Sequence, residues 1–253
     1  MRTLKPLFSG AVLAGLLTID LAAQPVAVVH AARAVMAADV GVVDETAASA
    51  QARASGRPVE ALSDRTEYAQ VFANPNGTFT YRVAPAPQRV RRADGTWTAV
   101  DTVLRHEPDG TVAPGASPAG LVMSGGGTGP LFSVSRAGGR LSFTWPDGPL
   151  PAPLLSGSSA TYASVLPGVD LRLTATKTGV SEVLVVRDGG AAANPALSSI
   201  AFGLTATGLT IGADAAGNLS AADASGAALF DAPAPRAWDS AGGDSGPGAP
   251  GPA

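Results

Sequence analysis

The chain has 253 residues, no cysteine, 45% apolar and 15% charged side chains, and a formal net charge of −3. This excludes a disulfide-stapled miniprotein and any thiolate metal site, and two histidines are too few for an ordinary zinc or copper centre. A weakly acidic chain with this much apolar content is expected to build a substantial core and not to bind nucleic acid. The fifteen arginines against two lysines, with abundant Ala and Gly, read as the bias of a GC-rich genome.

At the start, Arg2 and Lys5 precede an apolar run over residues 7–19, and small residues follow. This is the pattern of a secretory signal peptide, expected over residues 1–31. Cleavage sites are offered by Leu21-Ala22-Ala23, Val29-His30-Ala31 and Ala32-Arg33-Ala34, which place the cut between about 23 and 37. The run is short of the ~20 residues a membrane span needs. Asp20 ends it, and a carboxylate at mid-membrane costs roughly 2.5–3.5 kcal/mol. No cysteine is present for lipid modification and no Arg-Arg pair for twin-arginine export, so the expected location is extracellular by the Sec route, with wall association open and no membrane anchor after cleavage. Residues 32–57 are Ala-rich and polar and read as a tether, with at best a short helix ending near Gly56 and Pro58.

A β domain is expected over residues 58–240, as one body or as halves 58–150 and 151–240. Phe79, Tyr81 and Val83 alternate with polar neighbours, as in a half-buried strand. Asn76-Gly77-Thr78, Asp94-Gly95-Thr96 and Asp109-Gly110-Thr111 read as type I′ hairpin turns, and Gly138-Gly139 as a fourth hairpin. Leu171, Leu173 and Ala175 alternate again, and Val183-Leu184-Val185-Val186 suggests a strand covered on both faces. Many short strands without strand–helix–strand alternation predict an all-β fold: an antiparallel β-sandwich or bent sheet of successive hairpins. Residues 241–253 read as a disordered Gly/Pro tail.

Several segments then look familiar. The most specific is Ala160-Thr161-Tyr162-Ala163-Ser164-Val165-Leu166-Pro167-Gly168-Val169-Asp170-Leu171, followed by Gly179-Val180-Ser181-Glu182-Val183-Leu184-Val185-Val186. Val71-Phe72-Ala73-Asn74-Pro75-Asn76-Gly77-Thr78 and Gly95-Thr96-Trp97-Thr98-Ala99-Val100-Asp101 come before them, and Ala232-Pro233-Ala234-Pro235-Arg236-Ala237-Trp238-Asp239 after. Over roughly residues 55–240 the chain resembles the N-terminal β region of large secreted actinobacterial proteins. Those carry DNRLRE modules, LamG-like jelly rolls or RHS/YD repeats downstream. The resemblance implies a non-catalytic module whose partners are cell-wall polysaccharide or later domains of a longer protein. The activities of those later domains do not carry over.

The chemical motifs are weak. Gly243-Asp244-Ser245-Gly246-Pro247 resembles the nucleophile loop of chymotrypsin-like proteases, but a triad needs a positioned base, and His106 sits in no such context. Gly125 to Gly129 lack the Lys of a phosphate loop and read as a flexible turn. Asp214, Asn218 and Asp223 read as turn residues, too far apart for a calcium loop. Asp170 and Glu182 are a candidate carboxylate pair facing across a hairpin, although after Pro167-Gly168 a structural backbone hydrogen bond is the better reading of Asp170. Trp97, Tyr81, Trp145 and Tyr162 are candidates for sugar stacking, with core packing favoured for Tyr81 and Trp145. Arg82, Arg89, Arg91 and Arg92 offer a basic face, read as a solvated edge. No catalytic, cofactor or metal residue is assigned. The expected function is a secreted non-catalytic structural or interaction module, with a wall-carbohydrate-binding domain as the rival and a secreted hydrolase as a distant third. N-terminal sequencing of protein recovered from culture medium should give a first residue between Gln24 and Ala38; Met1 on a membrane-bound product would contradict export.

Overall fold

In the computed structural model, residues 14–21 and 43–238 are described. The proposed cleavage region 23–37 and the tail 241–253, including Ser245, lie outside the described residues. The chain divides into two compact units, a small one within residues 23–100 and a large one made of residues 1–22 and 101–253. Twenty strands are present among the described residues, with two short α-helices. The first strand, β1 (Ala14–Leu21), belongs to the large unit.

The small unit opens with helix α1 (Glu45–Ser55). Asp44 caps it by accepting the Ala47 N–H at 2.8 Å, and Gly56 ends it in the left-handed region at φ 69°. The Ala-rich stretch that reads as a tether is therefore structured over this span. Ala48 and Ala52, four residues apart, are fully buried, and their small size lets the helix lie close on the sheet. That sheet runs β2 (Val59–Glu60), β3 (Ala69–Ala73), β4 (Phe79–Val83), all antiparallel. The core is slight: Ala48, Ala52, Ala61, Val71 and Ala73. An ion pair reinforces it, with Arg65 donating from Nε and Nη2 to Glu60 at 2.8 and 2.6 Å and Gln70 adding a third bond. A two-stranded ribbon, β5 (Arg89–Arg91) and β6 (Trp97–Ala99), follows.

β4 departs from its expected half-buried state. Phe79, Tyr81 and Val83 are 37%, 63% and 54% exposed. They lie on the same side as Ala73, Val71 and Ala69, their partners on β3. Yet α1 packs on β2 and β3, and β4 is the outer strand, so the helix stops short of covering it. On the other side Arg82 stacks over the Phe72 ring, 4.5 Å from its centre.

The large unit begins with β7 (Asp101–His106), β8 (Val112–Ala116), β9 (Val122–Met123), β10 (Phe132–Arg136) and β11 (Gly139–Thr144). It continues with β12 (Leu154–Ser156), β13 (Ser159–Leu166), β14 (Val169–Ala175) and β15 (Gly179–Val186), then the one-turn helix α2 (Gly189–Ala192). The last strands are β16 (Gly203–Thr207), β17 (Thr210–Ala213), β18 (Leu219–Ala222), β19 (Ala228–Ala232) and β20 (Arg236–Trp238). One sheet has the order β16-β11-β10-β9-β8-β7. The other runs β12-β13-β14-β15-β1-β19-β18-β17, with β20 also paired to β1. Both bury side chains in one apolar cluster: Phe132, Val134, Leu141 and Phe143 from the first, Tyr162, Leu171, Leu173, Ile19 and Phe230 from the second. This is a β-sandwich, with every pairing among the described residues antiparallel. Phe132 and Phe143 stack at 4.8 Å across their strands, and the Tyr162 hydroxyl donates to the Ser124 carbonyl at 2.6 Å.

The Asx-Gly-Thr hairpins form, but not with type I′ turns. Gly77, Gly95 and Gly110 have φ of 82–86°, while Asn76, Asp94 and Asp109 do not enter positive φ. Each loop has three residues: in the first, Asn74 donates to Thr78 O and Gly77 donates back to Asn74 O. This is a turn closed by one left-handed glycine, and it recurs at Asp214–Asn218 and Asp223–Ala227. In the first three turns the Asx oxygen adds a hold of its own, taking both the N–H and the hydroxyl of the following Thr. The two-residue loop Ala137-Gly138, positive in φ at both positions, is the one between β10 and β11.

Truncating Phe132 to Ala should cost about 3–5 kcal/mol by leaving a cavity in the sandwich. Tyr81→Ala should change stability by no more than about 0.5 kcal/mol. Urea unfolding of the two variants measures both.

Candidate functional site

The hairpin from β13 through β15 holds the most distinctive sequence and the two carboxylates worth testing as a pair. In β14 the residues Val169, Leu171, Leu173 and Ala175 point into the core, so Asp170 points out. Its pairing partner on β15 is Val185, whereas Glu182 sits opposite the buried Leu173. Directly opposed residues in an antiparallel pair share a face. Asp170 and Glu182 therefore lie on opposite faces of the same sheet and do not form a pair across a substrate.

Asp170 is held on the outer face. It accepts the Ser164 N–H at 2.7 Å and both Arg187 Nε, at 3.0 Å, and Arg187 Nη2. Partial burial pushes its carboxyl up, but the bonds from Arg187 and Ser164 outweigh this and hold it below the usual carboxylate range. The register of β13 on β14 shifts between Tyr162 and Leu166, and Ser164 there has φ 52°. Asp170 thus pins a bulge. The Pro167-Gly168 loop, with Gly168 at φ 71°, closes the hairpin. The whole distinctive segment is accounted for by a buried Tyr, a bulge, a turn and the carboxylate that ties them.

Glu182 is the unusual group. It is 3% exposed, and its Oε2 has no hydrogen-bond partner among the described residues. Burial pushes its carboxyl up to about 8, so at neutral pH it is largely a neutral acid. Nothing in the segment's sequence marks it as buried except its parity with Val180 and Val186.

The remaining candidates are dispersed. Trp145 and Tyr162 are buried, with Trp145 edge-on to Phe202 at 5.6 Å. Trp97 is half-buried in the small unit, and Tyr81 alone of the four stands well exposed. Arg89 donates to the Thr66 and Ala69 carbonyls and Arg91 to the Gly95 carbonyl, while Arg82 stacks over the Phe72 ring, so three of the four arginines of the basic face are tied to their own unit. His106 is an exposed residue at the end of β7. Asp214 and Asp223 accept backbone N–H groups inside their turns. The 125–129 loop is pinned by paired bonds between Gly127 and Leu150 at 2.8 Å. At Gly125 a Cβ would fall 1.7 Å from the Gly110 carbonyl oxygen, so close approach of chain to chain explains that glycine.

Two depressions mark the large unit. One, open and about 490 Å³, lies beside α2 and is lined by Gly168, Asp188, Gly190, Asn194 and Pro195. Its polar side chains are engaged: Asp188 caps the Ala191 N–H and Asn194 the Ala196 N–H. The other is nearly filled, with about 20 Å³ between Ile19, Phe143, Leu204, Ile211 and Phe230. No three His, Asp or Glu residues cluster for a metal, and no helix is long and apolar enough to cross a membrane, among the described residues. Comparison with family models, with curated proteins and with solved structures gives no match to this chain.

Glu182 carries a pH signature. Its folded-state pKa stands above the unfolded value of 4.5, so between about 4.5 and 8 the native state holds more protons. Stability should therefore fall as pH rises through that window, by up to about 1.4 kcal/mol per unit, and level off above it. Urea unfolding across the range should show the slope in the parent, and Glu182→Gln should flatten it.

Proposed function

We propose that this chain is an exported, non-catalytic structural or interaction module, the N-terminal β region of a cell-surface or wall-associated protein. The observation that carries this reading is where the chemically capable side chains go. Tyr162 and Trp145 fill the core, Asp170 pins a bulge, Glu182 is sealed inside, and Asp94, Asp109, Asp214 and Asp223 close turns. No convergent set of nucleophile, base and oxyanion donors stands together among the described residues. The leader-like start and the resemblance to large secreted actinobacterial proteins supply the location and the context. Partners on this reading are later domains of a longer protein or wall polysaccharide.

One observation favours the carbohydrate-binding reading as a second. Phe79, Tyr81 and Val83 form an exposed stripe on the outer strand of the small unit, and an exposed phenol ring is a stacking surface. Sedimentation with purified cell walls separates the readings. The scaffold reading expects recovery unchanged by Tyr81→Ala; loss of most wall binding in that variant would move the assignment to carbohydrate binding. Assays on peptide, ester and peptidoglycan substrates should stay at background. Turnover abolished by His106→Ala or Ser245→Ala in a folded protein would overturn the non-catalytic reading.

A further inference from the structure

The nine-stranded sheet is two meanders joined by a strand from the other end of the chain. β12 to β15 pair in sequence order, and so do β17 to β19. Among the described residues no strand of one meander pairs with any strand of the other; β1 lies between them and bonds to both. It pairs with β15 over seven residues, from Ala14↔Val185 to Asp20↔Gly179. On its other side it meets β19 at Asp20↔Asp231 and Leu21↔Phe230, and β20 from Ala14↔Trp238 to Leu16↔Arg236.

The place is shaped for a strand. Ile19 is 2% exposed and Leu21 6%, both in the sandwich core, while Asp20 between them accepts the Thr178 hydroxyl at 2.6 Å. The Leu21 N–H donates to the Thr178 carbonyl at 2.9 Å. At Gly179 a Cβ would fall 1.8 Å from the Ile19 carbonyl oxygen, so the glycine admits the incoming backbone. Yet these residues fall within the expected leader, across the end of its apolar run. Cutting between 23 and 37 would separate β1 from the sheet it completes and bare the apolar floor and the backbone donors and acceptors of β15.

We infer that the space between β15 and β19 is a strand-acceptor groove, held in this chain by Ala14–Leu21, that takes an extended strand donated by another polypeptide once the leader is cut away. The occupant seen defines the chemistry of the donor. It is about eight residues long, antiparallel to β15, with branched apolar side chains at two alternate positions and a hydrogen-bond acceptor between them. Main-chain bonds would supply affinity and the Ile19 and Leu21 sites specificity, as in other cases of strand addition. The inference rests on the export reading above and names the kind of partner that reading requires.

The test uses the full chain with a protease site engineered between residues 24 and 37, cut after folding. The probe is a labelled synthetic peptide with the sequence of Ala14–Leu21. The cut protein should bind the probe saturably as its own leader fragment leaves, and the uncut protein should not. A peptide with Asp at the position of Ile19 should bind at least about tenfold more weakly, because a charge would enter the core. Absence of binding by the cut protein, or equal binding of both peptides, would overturn the groove. Dimers of the uncut chain in which copies exchange β1 would overturn the foreign donor in favour of a second copy. The export reading is judged separately, by the N-terminus of protein from the medium, and its failure would leave the peptide result standing.

Discussion

Backbone N–H and C=O groups must find partners wherever water is kept out, and in the large unit that demand falls on one strand. β15 is satisfied on its β14 side by a hairpin, and β19 on its β18 side by another. Between them both meanders depend on β1, which comes from more than 150 residues away in the chain relative to β15. The sandwich core depends on it as well, since Ile19 and Leu21 close the floor under Phe230 and Phe143. Among the described residues β20 pairs with no other strand. The nine-stranded sheet is continuous only while that position is filled.

The local parts of this architecture are legible in the sequence. The alternation Leu171, Leu173, Ala175 is the buried face of β14, and each Asx-Gly-Thr marks a hairpin. Period-two patterns report a face, because side chains on a strand point alternately to either side. They do not report what covers that face. Phe79, Tyr81 and Val83 have the pattern of a half-buried strand and are exposed, because α1 is narrow and lies over β2 and β3. Val183 to Val185 have the run of a doubly covered strand and are only half-buried. Turn type was similarly underdetermined. Positive φ at Gly is readable, but the loop length that makes these three-residue turns in place of two-residue type I′ turns is set by the register of the flanking strands.

Long-range pairing was the least legible. Nothing in residues 14–21 distinguishes a strand from the apolar part of a leader, since both are runs of Leu, Ile and Ala. The two carboxylates of the β14–β15 hairpin show the same limit from another side. Asp170 and Glu182 are close in sequence and on adjacent strands, and only the register separates them. One faces solvent and binds Arg187; the other faces Leu173 and the core. Register fixes that difference because a shift by a single residue would exchange the faces.

The three-residue turns have a consequence for how the protein ages. An asparagine followed by glycine is the sequence most open to succinimide formation, in which the glycine nitrogen attacks the side-chain carbonyl carbon and the amide is lost. At Asn76-Gly77 both reacting groups are engaged: the Gly77 N–H donates to the Asn74 carbonyl, and the Asn76 oxygen accepts from the Thr78 N–H and hydroxyl. Ring closure requires these bonds to break and the loop to leave this turn. Asp94-Gly95 and Asp109-Gly110 are held alike, against the corresponding isomerisation of aspartate. The same geometry that reverses the chain thus acts as a slow chemical clock's brake, a useful property in a protein with no cysteine cross-links to keep a damaged loop in place.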